Sequence, residues 1–87
     1  MFYVYFLRND VSKETYIGFT SNIKQRLIRH NEGGKKFTTR KEGTWRLIYA
    51  EIYKSEDDAR ARERKLKNHG SGKHELIKRL KHTLLDT

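Results

Sequence analysis

Residues 15–30, TYIGFTSNIKQRLIRH, decide the fold that this sequence predicts. In the first part of the stretch, residues alternate with the period of a β-strand, which ends near Gly18. Ser21 and Asn22 are typical first residues of a helix, because their side-chain oxygens can accept hydrogen bonds from the free N–H groups of a first turn. The stretch therefore predicts a strand, a turn and a helix in direct succession.

The predicted helix carries two side chains that suit an anion. Ile23 and Leu27 form its apolar stripe, and at about 100° per residue Arg26 and His30 lie beside that stripe, one turn apart. A guanidinium and an imidazole at the edge of a buried face can bind a phosphate. The helix therefore predicts an anion site just below the turn.

The composition indicates one small basic domain. The chain has 87 residues, with 20 Lys and Arg against 11 Asp and Glu, which gives a net charge of +9. Such a charge is typical of nucleic-acid-binding domains, and the interleaved aromatic residues favour that partner over a solvated basic surface without one. Membrane binding is disfavoured, because the last helix needs its apolar stripe for the core.

The residue types that are missing narrow the function further. The chain has no cysteine, which excludes a disulfide framework and a thiolate zinc site. No run of residues resembles a signal peptide or reaches the length of a membrane span. We therefore expect a cytoplasmic protein.

Residues 2–7, FYVYFL, predict an inner strand, because both of its faces are apolar. Residues 9–12 follow as a polar turn, for which we expect a four-residue loop because a tighter turn would need a positive φ at Val11. In that register Tyr5 and Tyr16 lie opposite each other on one face of the sheet.

The remaining residues predict a loop, a strand and two helices. The loop is rich in glycine and lysine, and its basic residues are the candidate nucleic-acid contacts Lys35, Lys36 and Arg40. The predicted segments are a loop at 33–44, a strand at 45–53, a helix at 55–68, a glycine break at 70–72 and a helix at 73–85. The predicted order of elements is β-β-α-β-α-α.

Glu63 is an unusual residue in the basic helix at 55–68. It lies on the apolar stripe, four residues after Ala59 and three before Leu66. A carboxylate on a buried face needs a partner, because leaving it unpaired is costly. Two interpretations remain open, a structural ion pair with a lysine or arginine and a metal ligand.

These residues together resemble the GIY-YIG nuclease superfamily, in its small standalone bacterial branch. Two positions depart from the superfamily pattern. In the first motif, Tyr3 occupies the position of the glycine in GIY. Many members carry an asparagine some distance after the glutamate, and Asn68 follows Glu63 too closely to match it. The matching positions are Tyr3-Val4-Tyr5, Tyr16-Ile17-Gly18, Arg26, His30 and an A-R-x-R-E-x-x-x-K run at residues 59–67. The resemblance implies a small α+β sandwich with a three-stranded, mostly antiparallel sheet flanked by helices, in a single domain over residues 1–87.

The resemblance also implies a metal-dependent endonuclease that hydrolyses phosphodiester bonds of DNA, in DNA repair or mobile-element processing. Glu63 would hold one Mg²⁺ or Mn²⁺ ion, and Arg26 would contact the non-bridging oxygens of the phosphate. Tyr5 or Tyr16 would activate or orient the water, and His30 would relay a proton or hold a phosphate. A catalytically weak nucleic-acid-binding module and a basic protein-interaction domain are the alternatives, and DNA is favoured over RNA as the partner.

Overall fold

Three strands and four helices make up the part of the chain that the computed structural model describes, which is residues 1–32, 43–68 and 70–85. The elements are β1 (Phe2–Asn9), β2 (Thr15–Thr20), α1 (Ile23–Asn31), β3 (Trp45–Tyr53), α2 (Glu56–Asn68), α3 (Gly70–Arg79) and α4 (Lys81–Leu85). The predicted order of elements is confirmed, except that two helices replace the single helix predicted at the end. The predicted nucleic-acid contacts Lys35, Lys36 and Arg40 lie outside the described residues.

The sheet has the strand order β2-β1-β3, and both pairs of strands are antiparallel. The inner position of β1 confirms the prediction from its two apolar faces. On one face Tyr5 and Leu7 pack with Trp45 and with residues of α1. On the other face Val4 and Phe6 pack against α2 and α3. The sheet is therefore a shared wall between α1 on one side and α2 with α3 on the other.

The register of the β1–β2 hairpin differs from the predicted one by two residues. Tyr5 pairs with Gly18, and Leu7 pairs with Tyr16, so the prediction that the two tyrosines are directly opposite is wrong. The two tyrosine rings still share a face, as diagonal neighbours with centroids 6.2 Å apart.

The cause of the shifted register is the turn between the strands. Asn9 accepts hydrogen bonds at Oδ1 from the N–H groups of Val11 and Ser12, at 2.9 Å each, which forms a side-chain-stabilised turn. Lys13 has the positive φ of this turn, 64°, so Val11 does not have to adopt one. The connection thereby becomes longer than the predicted loop.

The predicted break at 70–72 is also wrong, because these residues form the first turn of α3. A Cβ atom on Gly72 would lie 3.2 Å from the carbonyl oxygen of Lys65. The glycine therefore permits a close approach of α3 to α2. The helix predicted at 73–85 is divided at Leu80, which is buried and whose N–H is shared between the carbonyls of Leu76 and Ile77.

No helix in the described part of the chain is long and apolar enough to cross a membrane.

Candidate active site

Helix α1 begins directly after β2, and this places its polar residues over the sheet. Asn22 is the N-cap, and its Oδ1 accepts a hydrogen bond of 3.0 Å from the N–H of Gln25. At the other end of α1, the Asn31 side chain bonds both backbone groups of Trp45 on β3, at 2.7 and 2.9 Å. The helix is thus fixed at both ends, so that His30 is buried above β1.

Tyr5, Tyr16 and His30 form one cluster on the α1 face of the sheet. The hydroxyl of Tyr5 lies 3.1 Å from Nε2 of His30, in a buried hydrogen bond. The ring of His30 meets that of Tyr16 edge-on, with centroids 4.8 Å apart. A Cβ atom on Gly18 would overlap the hydroxyl and ring of Tyr5. The glycine of the Tyr16-Ile17-Gly18 motif therefore makes room for the tyrosine on the neighbouring strand.

Burial is the main influence on the acid–base properties of this cluster. It raises the pKa of Tyr5 to about 12, with a further rise from Tyr16 and Glu63 and an opposing effect of Arg26. Burial also lowers the pKa of His30, and the positive charges of Arg26 and Arg29 lower it further. His30 is therefore neutral at pH 7. With its proton on Nδ1, it can accept the hydroxyl proton of Tyr5 at Nε2.

The electrostatic effects on Tyr5 also show which other groups lie near it. Arg26 of α1 lowers the pKa of Tyr5 through its charge and a hydrogen bond, and the charge of Glu63 on α2 raises it by a smaller amount. The structure thus brings together the five residues that the sequence singled out, which are Tyr5, Tyr16, Arg26, His30 and Glu63. Their roles remain predictions.

Glu63 has a lysine partner within this cluster. Its carboxylate forms an ion pair with Lys67, one turn later in α2, and Nζ of Lys67 lies 3.1 Å from the carboxylate oxygen. The same ammonium lies 5.4 Å from the ring centroid of Tyr16. The ion pair that the sequence left open is therefore present, and it lies beside the tyrosines.

Glu63 is a single carboxylate, paired with the ammonium of Lys67. In the described residues, no group of three or more His, Cys, Asp or Glu side chains is arranged to hold a metal ion. Mg²⁺ often binds through one or two carboxylates and completes its shell with water and substrate phosphates. Glu63 can serve as such a single carboxylate, provided that the ion replaces the ammonium of Lys67. A metal site here would thus be completed by the substrate.

A second polar network, which the sequence analysis missed, holds α2 on β3. Arg62 donates from Nε and Nη2 to the two carboxylate oxygens of Glu51, at 2.9 and 3.0 Å. The hydroxyls of Tyr49 and Tyr53 donate to the same carboxylate, at 2.9 and 2.7 Å. Arg62 precedes Glu63 in the chain, so this network fixes the rotation of α2 directly beside Glu63.

A signal for this network was present in the sequence. Tyr49, Glu51 and Tyr53 alternate along β3, so their side chains share one face of the strand. Two phenols on either side of a carboxylate, on the face that receives a basic helix, indicate a buried ion pair. The sequence does not identify which arginine of α2 completes the pair.

Comparison with known proteins identifies what this arrangement is similar to. The family described as GIY-YIG catalytic domain matches residues 1–75, which include all five candidate site residues. A UPF0213 protein of Clostridium perfringens is 38% identical over 64 residues, covering 72% of this chain and 67% of its own. A UPF0213 protein of Staphylococcus haemolyticus is 33% identical over 66 residues, covering 75% of this chain and 78% of its own.

Two further comparisons agree with these. A UPF0213 protein of Pediococcus acidilactici is 42% identical over 50 residues, which span about half of each protein, 55% of this chain and 51% of the relative. The solution NMR structure of a UPF0213 protein from Bacillus halodurans matches with a TM-score of 0.56 and 31% identity. It covers 93% of this chain and 86% of the other.

Proposed function

Because the chain belongs to the GIY-YIG family, whose nucleases generally depend on divalent metal ions and act on nucleic acid, we propose that it is a metal-dependent endonuclease that hydrolyses phosphodiester bonds of DNA. The observation that carries the proposal is the buried hydrogen bond between Tyr5 and a neutral His30, close to both Arg26 and Glu63. This arrangement supports the proposal because the residues proposed as proton acceptor, phosphate ligand and metal ligand belong to one cluster.

Tyr5 and His30 together can remove a proton from the attacking water. A phenol with a pKa of about 12 is a poor acceptor by itself, because so little of it is ionised at pH 7. In the proposed relay, the oxygen of Tyr5 takes a proton from water while its own proton passes to Nε2 of His30. The resulting hydroxide attacks the phosphorus atom and the bond to the leaving oxygen breaks. The proton held at Nε2 of His30 then returns through solvent to the leaving oxygen, which restores neutral His30.

Arg26 and Glu63 serve the phosphate in this proposal. Arg26 donates hydrogen bonds to the non-bridging oxygens, where negative charge increases in the transition state. Glu63 holds one Mg²⁺ or Mn²⁺ ion, which when bound stabilises charge on the phosphate oxygens. Tyr16 packs against the ring of His30 and keeps the His30 ring facing Tyr5. The nucleic acid is proposed to be DNA, with RNA as the alternative.

The Lys67–Glu63 ion pair favours a second candidate function. A carboxylate whose charge is already balanced by an ammonium at 3.1 Å binds a metal ion less strongly. The protein would then be a nucleic-acid-binding module of the same fold that cleaves poorly. The two functions differ in their dependence on metal.

A nicking assay distinguishes these functions. Supercoiled and branched DNA are incubated with the protein in Mg²⁺, Mn²⁺ or EDTA, and Glu63→Gln is compared with Glu56→Gln. Glu56 is the matched control, because it is an exposed glutamate of α2 that pairs with Arg60. We expect metal-dependent cleavage that Glu63→Gln abolishes and Glu56→Gln retains. Binding without cleavage in every metal would favour the second candidate.

A further inference from the structure

A cavity lies between α2 and α3, away from the Glu63–Lys67 pair. It has a volume of about 240 Å³, and its walls are Arg62, Lys65, Gly72, Glu75, Leu76 and Arg79. Lys65 is two residues from both Glu63 and Lys67, which at about 100° per residue places it on a different side of α2. The cavity is therefore separate from the candidate active site.

The guanidinium of Arg62 is held in place at one wall of this cavity. Its Nε and Nη2 form the fork with Glu51, so Nη1 lies outside that fork. Arg79 also acts on this network through its charge: burial and Glu51 raise the pKa of Tyr49, and the charges of Arg62 and Arg79 lower it in part. A donor held by a half-buried carboxylate loses little freedom when it binds a ligand, which favours binding.

The rest of the wall leaves space between the cations. Gly72 contributes no side chain, and α3 approaches so closely there that a Cβ atom would lie 3.2 Å from the carbonyl oxygen of Lys65. Leu76, which is 2% exposed, forms an apolar wall. The lining thus combines an apolar wall with charged side chains.

Positive charge predominates around the cavity. Three of its side chains are cationic and one, Glu75, is anionic. Even when Glu51 is counted as the partner of Arg62, two cations face one carboxylate, and an anion would relieve their repulsion. Arginine suits phosphate through its planar fork, and lysine suits it as a point charge.

The size of the cavity limits what the anion can be. Pockets that enclose a small-molecule ligand usually measure about 300–1,000 Å³, and this cavity is smaller. We propose that it binds a single phosphate group. Resting on the proposed function, we further propose that this phosphate belongs to the nucleic acid strand that enters the candidate active site on the other side of α2.

In the first test, the full chain is titrated with inorganic phosphate at constant ionic strength in EDTA, and NMR spectra are recorded at each phosphate concentration. We expect saturable shifts of the Gly72 and Leu76 amides and of the Arg62 side-chain N–H. The double variant Lys65→Gln/Arg79→Gln should weaken phosphate binding at least about tenfold, because it removes two charge-assisted contacts. Shifts that do not saturate would overturn the proposal.

A matched variant separates a site from a general effect of charge. The variant Lys24→Gln/Lys54→Gln also removes two positive charges, but from exposed residues that do not line the cavity. We expect it to keep the saturable shifts. Equal losses in the two double variants would show only diffuse attraction and would overturn the site.

A second experiment identifies the source of the phosphate. Labelled oligonucleotides with and without a 5′-phosphate are titrated in EDTA against the parent and the Lys65→Gln/Arg79→Gln variant. Weaker binding of both oligonucleotides supports an internal phosphodiester, and weaker binding of the 5′-phosphorylated one alone supports a terminal phosphate. If both oligonucleotides bind the variant as tightly as they bind the parent, the assignment to nucleic acid is overturned. EDTA prevents metal-dependent cleavage, so failure of the nicking assay would not change these results.

Discussion

At the scale of single residues, two small details define the candidate site. Gly18 leaves the space that the Tyr5 ring occupies on the neighbouring strand. His30 is buried and neutral, so it can accept the hydrogen bond that Tyr5 donates. Because each detail depends on one atom or one proton, substitutions and pH can test them separately.

Gly18→Ala should displace Tyr5 and destabilise the protein by about 1–3 kcal/mol, the usual cost of overpacking a core. Denaturant unfolding measures this change. The contact can be isolated with Tyr5→Ala, because the added methyl group then has room, and the cost of Gly18→Ala should fall in that background. Additive costs would contradict the steric explanation.

The free energy of unfolding should decrease as the pH falls below about 6.5. Burial and the neighbouring arginines lower the pKa of His30 in the folded protein, so the unfolded chain binds the proton more readily. The stability that depends on neutral His30 is therefore complete above the unfolded pKa and is lost as the pH falls toward the folded pKa.

Two variants assign this pH dependence. His30→Gln should flatten the decrease in stability below about pH 6.5. The control His82→Gln, at an exposed position, should leave that decrease unchanged. Unfolding in urea at a series of pH values measures both. An unchanged slope in His30→Gln would contradict the assignment.

At the scale of elements, α2 connects the two polar centres of the molecule. Its Arg62 binds Glu51 on β3, and the next residue, Glu63, faces the tyrosines of the candidate site. The side chains of Arg62 and Glu51 are 24% and 15% exposed, so their pair is shielded from solvent. The position of Glu63 therefore depends on a contact that takes no part in the proposed chemistry.

Arg62→Met should destabilise the protein by about 3 kcal/mol, because it leaves the Glu51 carboxylate half-buried without its cation. Thermal or urea unfolding measures the change. Arg64→Met, at an exposed position of the same helix, should cost less than about 0.5 kcal/mol. The double variant Glu51→Gln/Arg62→Met should recover part of the loss, and no recovery would contradict the ion-pair explanation.

At the scale of the whole molecule, charge rather than core size distinguishes this chain. A net charge of +9 on 87 residues attracts polyanions from every direction. Part of this charge lies in the cavity between α2 and α3, whose lining has three cations and one carboxylate, and Arg26 contributes to it in the candidate active site. A nucleic acid that touches both would cross α2.

Binding of DNA should weaken steeply as salt is raised, since each phosphate contact contributes a slope of about −0.9 in a plot of log affinity against log salt. Replacing Lys35, Lys36 and Arg40 by glutamine should reduce that slope without unfolding the domain. Fluorescence anisotropy at several salt concentrations measures the slope. Glutamine at the exposed residues Lys24, Lys54 and Lys81 provides a control of equal charge, and a flat salt dependence in the parent would contradict phosphate binding.

The sequence by itself determined the order of the elements from β1 to α2, and it named the candidate site residues, whose roles stay a prediction. The apolar faces of residues 2–7 required an inner strand, and Asn22 marked the start of α1, because period and capping are local properties. Only the tertiary structure decided the hairpin register, through the positive φ of Lys13. It also decided that Tyr5 meets His30, 25 residues away. Such contacts depend on how distant elements pack, and no local pattern encodes the distance between them.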